Sequence, residues 1–215
     1  LGMYYLTDRL VKEFPHVFFE GCSGGGGRFD FGILYYMPQI WTSDDSDAVE
    51  RLKIQYGTSL VYPTSAMVAH VSACPNHQTG RVTSLETRSN VAMSGNFGYE
   101  LDLMHLTDEE KEEIKTQVAQ YKELRSFVPK GNLYRLKSPF ANCNHDGNDT
   151  AWMVISEDGT DIFAAYFRKS CIVNGGIYRM KFTALEPDAI YEILGENTSY
   201  SGDELMEIGL IVDMW

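Results

Sequence analysis

The sequence is short of positive charge and has no long apolar run. Eighteen Lys and Arg stand against 30 Asp and Glu, a net charge of -12 at pH 7, and no basic stretch is interleaved with aromatics. Such a surface repels nucleic-acid phosphates and anionic membranes, so neither is expected as a partner. No apolar stretch approaches the roughly 18 residues that a membrane-spanning helix needs. The first residues also lack the charged-then-apolar plan of a signal peptide. Cysteine is sparse: Cys22, Cys74, Cys143 and Cys171 lie far apart and form no Cys-x-x-Cys pair. That excludes the dense disulfide framework of a small secreted domain and favours thiols in a reducing compartment, hence a cytoplasmic location. The Asn-x-Ser/Thr triplets at Asn148 and Asn197 would matter only in a secreted eukaryotic protein.

What is present suffices for a sizeable core: 215 residues, 44% of them hydrophobic, enough for one domain or two. The chain begins Leu-Gly without Met and ends on the apolar Ile211-Val212-Asp213-Met214-Trp215, which suggests a fragment cut inside a structural element.

Taken in order, Leu6, Leu10, Val11 and Phe14 give a first helix one apolar face, closed by Pro15. Residues 17–19 and 35–41 are expected as two short buried strands, separated by a glycine loop and a short segment over 29–34. Residues 47–56 predict a helix stopped by Gly57, and 59–72 a further buried strand interrupted at Pro63. Residues 76–81 form a polar loop, 82–88 open a helix, and 97–103 make a last strand. Thr107 and Glu110 have the spacing of a capping box, which starts a helix carrying Ile114, Val118, Tyr121, Leu124 and Phe127 as far as Pro129. This alternation is the rhythm of a parallel sheet with helical crossovers. After Pro129-Lys130-Gly131 the character changes. A hairpin over 152–168 turns at Asp158-Gly159, strands are expected over 177–185 and 190–194, and helical periodicity is confined to 202–208. Residues 131–215 therefore read as a small β-domain packed on an α/β part.

The chemistry gathers between His16 and Asp47, where each of two apolar strands ends in a polar loop. Ligands of parallel β/α architectures sit at such carboxyl ends. The first loop, Gly21-Cys22-Ser23-Gly24-Gly25-Gly26-Gly27-Arg28, either lets backbone approach a ligand closely or is a flexible surface turn. It is no phosphate loop, since neither a Gly-Lys-Ser/Thr ending nor Rossmann spacing is present. Arg28 and Asp30 beside it suggest a structural ion pair. The second loop places Asp44, Asp45 and Asp47 after Trp41. Carboxylates beside an aromatic platform suit sugar hydrolysis, in which one carboxyl protonates the leaving oxygen and another attacks or activates water. Ser43 and Asp45 could equally cap the following helix, with Asp47 in its first turn, which leaves Asp44 to face a pocket. His70, Cys74 and His77 have no standard zinc spacing, and no His is placed by sequence as a base for a Cys22 nucleophile.

The blocks Cys-Ser-Gly-Gly-Gly-Gly-Arg-Phe-Asp from Cys22 and Trp-Thr-Ser-Asp-Asp from Trp41, with AHVSACPNHQTGR further on, resemble the α-galactosidases of glycoside hydrolase family 36. The likeness extends over nearly the whole chain. It implies a parent with an N-terminal β-supersandwich, a (β/α)8 barrel and a C-terminal antiparallel β-domain. Residues 1–130 would then be the C-terminal part of the barrel, a partial catalytic domain, and 131–215 the last domain. The resemblance makes Asp44 the acid/base and lines the galactose subsite with Cys22, Ser23, Gly24 and Gly25, while Trp41 and Asp45 shape the pocket. It implies no metal and no cofactor, a small oligosaccharide such as melibiose or raffinose as substrate, and a homo-oligomeric parent. The family's nucleophile is an Asp in a Lys-Trp-Asp motif, and no Lys-Trp-Asp occurs here, so this chain alone is expected to be inert. Galactosyl transfer of the raffinose-synthase type, and a catalytically dead sugar-binding module, remain alternatives.

Overall fold

The structure is a computed structural model describing residues 2–142, 146–171, 173 and 177–212. The chain divides into two compact units, Leu1–Lys130 and Gly131–Trp215. The first is built on a four-stranded parallel sheet whose strands follow in sequence order: β1 Glu20–Gly21, β2 Gln39–Trp41, β3 Met67–Ser72 and β4 Asn96–Glu100. Parallel neighbours need crossovers, and helices Ala48–Ser59 and Leu85–Ala92 supply two of them. Ala69 and Val71 of β3 pack with Leu85, Ala92, Phe97, Tyr99 and Ile114 on the helical face of the sheet. Because side chains alternate along a strand, Trp41 and His70 point to the other face, where their rings stack with centroids 3.9 Å apart.

Helix Asp108–Leu124 starts with the expected capping box: Glu110 N donates to Thr107 Oγ1 at 3.2 Å and Thr107 N donates to Glu110 Oε2 at 2.9 Å. Satisfying two otherwise unpaired amides in this way stabilises a helix by about 1 kcal/mol. It ends at Leu124 rather than Pro129, and turns follow. No helix among the described residues is long and apolar enough to cross a membrane.

Several local expectations need correction. The first helix, Gly2–Glu13, turns Thr7 inward, while Leu6 and Phe14 are exposed. Residues 17–19 are not a buried strand, since Val17 and Phe18 are exposed and pairing begins only at Glu20. Likewise 35–38 precede the second strand, and Tyr35 is 82% exposed. The helix after Asp47 passes through Gly57 to Ser59, Gly57 having no left-handed angle that would stop it. Of 59–72 only Met67–Ser72 is strand; a 3-10 turn Thr64–Ala66 precedes it, since Pro63 has no amide to contribute to a ladder. The next helix opens at Leu85 under a Ser84 cap, and the last strand is Asn96–Glu100. Short apolar runs carry no boundary signal of their own, so backbone pairing and caps decided these ends.

In the second unit β5 Asn132–Lys137, β6 Asp149–Ile155 and β7 Ile162–Arg168 form an antiparallel sheet in that order. The β6–β7 hairpin turns as expected: Gly159 has φ +78, and Asp158 Oδ1 accepts from Ser156 Oγ at 2.6 Å and from Thr160 Oγ1 at 2.9 Å. β5 had no alternation to announce it. Two further ribbons pair β8 Tyr178–Met180 with β11 Leu210–Val212, and β9 Ile190–Glu192 with β10 Ser199–Ser201. Residues 202–208 contain a π-helical turn, Glu204–Ile208. Ala151, Met153, Ile155, Met180, Phe182, Leu185 and Leu205 make the core. Asp149 binds Lys137 at 2.9 Å and Arg168 at 3.1 Å, tying all three strands of the sheet. Asn148, the first glycosylation triplet, spends its side chain on Ser170, donating to its carbonyl at 2.7 Å and accepting from its amide at 3.0 Å. Cys22, Cys74 and Cys171 are free thiols, while Cys143 and the terminal Asp213, Met214 and Trp215 lie outside the described residues.

Candidate active site

Two loops leave the carboxyl ends of β1 and β2. After Gly21 the chain enters a left-handed turn: Ser23, Gly24, Gly25 and Gly26 have φ of +55, +66, +70 and +89. Gly26 N donates to Cys22 O at 2.7 Å and Gly27 N to Ser23 O at 3.2 Å. Each side-chain-bearing residue in that conformation costs roughly 1–2 kcal/mol, which is why the run is almost entirely glycine. The one exception, Ser23, accepts a hydrogen bond from Arg28 Nη1 at 3.1 Å. The expected Arg28–Asp30 ion pair is therefore absent. Asp30 instead accepts from Tyr4 Oη at 2.7 Å and caps the Phe31–Leu34 turn through Ile33 N at 2.9 Å.

The left-handed turn brings the two loops together. A Cβ on Gly25 would run into Asp44 N and lie 3.0 Å from Asp44 Cγ, and one on Gly26 would lie 2.6 Å from Trp41 O. The glycine run is thus a seat for the Trp41 to Asp44 backbone. Cys22 is exposed at its start, and Gly24 faces open space.

Within the second loop Ser43, Asp45 and Asp47 each take a backbone amide two residues on. Ser43 Oγ accepts from Asp45 N at 3.0 Å, and Asp45 Oδ1 accepts from Asp47 N at 3.0 Å. Asp47 Oδ1 takes Val49 N at 2.8 Å and Glu50 N at 3.2 Å. Asp47, not Ser43 or Asp45, is therefore the helix cap. Burial pushes its carboxyl up, but the Thr79 hydroxyl, the two amides and the Arg81 guanidinium at 2.9 Å outweigh this and hold it below the usual carboxylate range. Asp44 is the aspartate left over: its side chain is exposed and has no hydrogen-bond or ion-pair partner among the described residues.

Trp41 is pinned from below by a residue that the sequence reading passed over. Glu20 accepts from Trp41 Nε1 at 2.9 Å and from Gln39 Nε2 at 2.5 Å. One face of the indole is covered by His70, so only the other is open to a ligand. Two more such residues are Arg51 and, in the polar loop after β3, Gln78. Arg51 is 1% exposed, donates to Thr42 Oγ1 and leaves Nε and Nη2 without a partner. The clue was its place three residues after Ala48 on the inward stripe of its helix, which a search for apolar residues alone misses.

Burial, and then the nearby Arg51 charge, push the His70 imidazole down to about 4. In the unfolded chain it titrates near 6.5. The folded state thus binds fewer protons between these values, and stability falls as pH drops from about 6.5 through about 4. Partial solvation limits the loss to about 2 kcal/mol. His70→Phe keeps an aromatic partner for Trp41 and removes the titration. Its melting temperature is expected to fall less over pH 6.5–4 than the wild type's, and parallel curves would refute this account.

The family model described as "Melibiase" matches residues 1–131, and that of the "Glycosyl hydrolase family 36 C-terminal domain" matches 149–214. The chain is 57% identical over 210 residues to the α-galactosidase AgaA of Geobacillus stearothermophilus, covering 98% of this chain and 28% of the relative. It is 48% identical over 209 residues to α-galactosidase 1 of Pediococcus pentosaceus, covering 97% and 28%. Among solved structures, the family 36 α-galactosidase AgaB of G. stearothermophilus superposes with a TM-score of 0.93 at 56% identity, over 99% of this chain and 28% of that one. A substituted AgaA in complex with raffinose matches with a TM-score of 0.93 at 54% identity, over 99% and 29%. The chain spans 28% of the length of these curated relatives. With the glycine turn seated against the Trp-Thr-Ser-Asp-Asp loop, and a matching model across 1–131, the chain belongs to the melibiases of glycoside hydrolase family 36.

Proposed function

We propose that this chain is the acid/base-bearing part of a retaining α-galactosidase that removes terminal α-galactose from oligosaccharides such as melibiose and raffinose. The observation that carries the reading is the exposed, unpartnered Asp44 carboxyl beside Gly25 of the glycine turn, while Asp45 and Asp47 are committed to backbone amides. Relatives that are α-galactosidases, among them AgaA solved in substituted forms with raffinose and with stachyose, support the substrate class. Asp44 enters protonated, donates to the departing sugar oxygen, and then takes a proton from the water that releases galactose. The Cys22 to Gly25 segment lines the galactose subsite, and Trp41 and Asp45 shape it.

The four parallel strands would be an arc of a (β/α)8 barrel in residues 1–130, and 131–215 its antiparallel C-terminal domain. The missing barrel strands would cover Val17 and Phe18 and bring the nucleophile. A retaining pair needs carboxyls about 5 Å apart, and the Lys-Trp-Asp partner is not in this sequence. The full-length parent would be a cytoplasmic homo-oligomer working without a cofactor.

The test is product stereochemistry. Full-length enzyme with an aryl α-galactoside should release α-galactose first by proton NMR, mutarotating later, and the 215-residue chain should release none. First-formed β-galactose would overturn the retaining mechanism, and no galactose from the full-length enzyme would overturn the hydrolase reading.

A further inference from the structure

The loop 76–81 grips the acid/base loop almost residue by residue. Asn76 is buried; its Nδ2 donates to Ser46 Oγ at 3.1 Å, and its Oδ1 accepts Gln78 N at 2.9 Å and Thr79 N at 3.0 Å. Thr79 Oγ1 and Arg81 Nε reach Asp47 at 2.5 and 2.9 Å. Gln78 alone reaches Asp44. Its Nε2 donates to Asp44 O at 2.8 Å, and its Oε1 accepts Ser46 N at 2.9 Å and Ser46 Oγ at 3.3 Å. The amide's orientation is fixed by its partners, since Ser46 N only donates and Asp44 O only accepts.

Asp44 has no side-chain partner among the described residues, so its carboxyl stands where its backbone puts it. Gly25 approaches that backbone closely at the Asp44 amide, and Gln78 hydrogen-bonds its carbonyl. We propose that Gln78 is a positioning residue for the proton transfer by Asp44, acting by bridging the Asp44 carbonyl and the Ser46 amide. The inference rests on Asp44 being the acid/base. A positioning role sharpens proton delivery to a poor leaving group and leaves substrate binding alone, because Gln78 bonds the Asp44 carbonyl and Ser46 and not the Asp44 carboxyl.

The test compares Gln78→Met, which keeps the length and loses both bonds, with Gln78→Glu, which keeps an acceptor for Ser46 N and loses the donor to Asp44 O. Both are made in the full-length enzyme beside Asp44→Asn. Expected for both is a fall of about tenfold in kcat on raffinose, with KM unchanged and kcat/KM on an aryl α-galactoside with an activated leaving group within about twofold of wild type. Equal losses on the two substrates together with a lower melting temperature would make Gln78 merely structural and overturn the inference. Wild-type raffinose hydrolysis in both Gln78 variants, with Asp44→Asn inactive, would overturn it while leaving the acid/base assignment standing. Raffinose hydrolysis by Asp44→Asn at the wild-type rate would overturn the assignment itself.

Discussion

Asp44→Asn in the full-length enzyme is expected to lower kcat/KM for raffinose by roughly 10²–10⁴-fold, the usual worth of a positioned general acid. For an aryl α-galactoside whose leaving group departs without a proton, the same substitution should cost far less in kcat/KM. Asn has the shape of Asp, and the contacts that set the backbone, Gly25 beneath the amide and Gln78 on the carbonyl, are untouched by the change. The loss therefore reports the proton and not the fold. The second half of the double displacement also lacks its base, so kcat on the aryl substrate should fall as galactosyl-enzyme accumulates. Azide, which needs no base, should restore turnover in Asp44→Ala and yield α-galactosyl azide. Unimpaired raffinose hydrolysis would move the role to Asp45 or Asp47, and either would first have to abandon an amide that it caps at 3.0 or 2.8 Å.

That division among three aspartates shows how far the sequence could be read. The spacing of Ser43, Asp45 and Asp47 already suggested capping, which singled out Asp44 by elimination. Which aspartate takes which amide was not readable, because successive turns of this kind have the same composition whichever residue caps the helix. Capping at Thr107 and the turn at Gly159 were legible because each depends on neighbours within four residues. Strand limits were not: Phe18 and Tyr35 have strand-forming side chains but lie outside the ladder. The residues missed at the site share one physical reason. Glu20, Arg51 and Gln78 act on partners 9 to 34 positions away in sequence, and polar residues in such roles leave no periodic mark. The resemblance supplied what spacing could not, that the glycine turn and the aspartate loop belong to one site.

The glycine turn gives the second large expected effect. Gly25→Ala and Gly159→Ala both put a methyl on a residue with positive φ, +70 and +78. At Gly159 nothing lies within 4 Å of the new atom. Only the left-handed backbone then counts, and a loss of about 1 kcal/mol in stability is expected, with unchanged hydrolysis. At Gly25 the same methyl meets the Asp44 amide nitrogen, a backbone atom that cannot swing aside as a side-chain end would. Either the turn or the Asp44 loop has to move, and a displacement of about an ångström at a reacting group costs on the order of 10²-fold in rate. Gly25→Ala should therefore lose about that factor in kcat on raffinose, and lose more there than on an activated aryl α-galactoside, because the carboxyl that moves is the proposed proton donor. Melting temperatures of the two variants separate the strain they share from the collision found in one. Equal rates for Gly25→Ala and Gly159→Ala would mean that the turn does not seat Asp44, and the run of glycines would then be explained by backbone conformation alone.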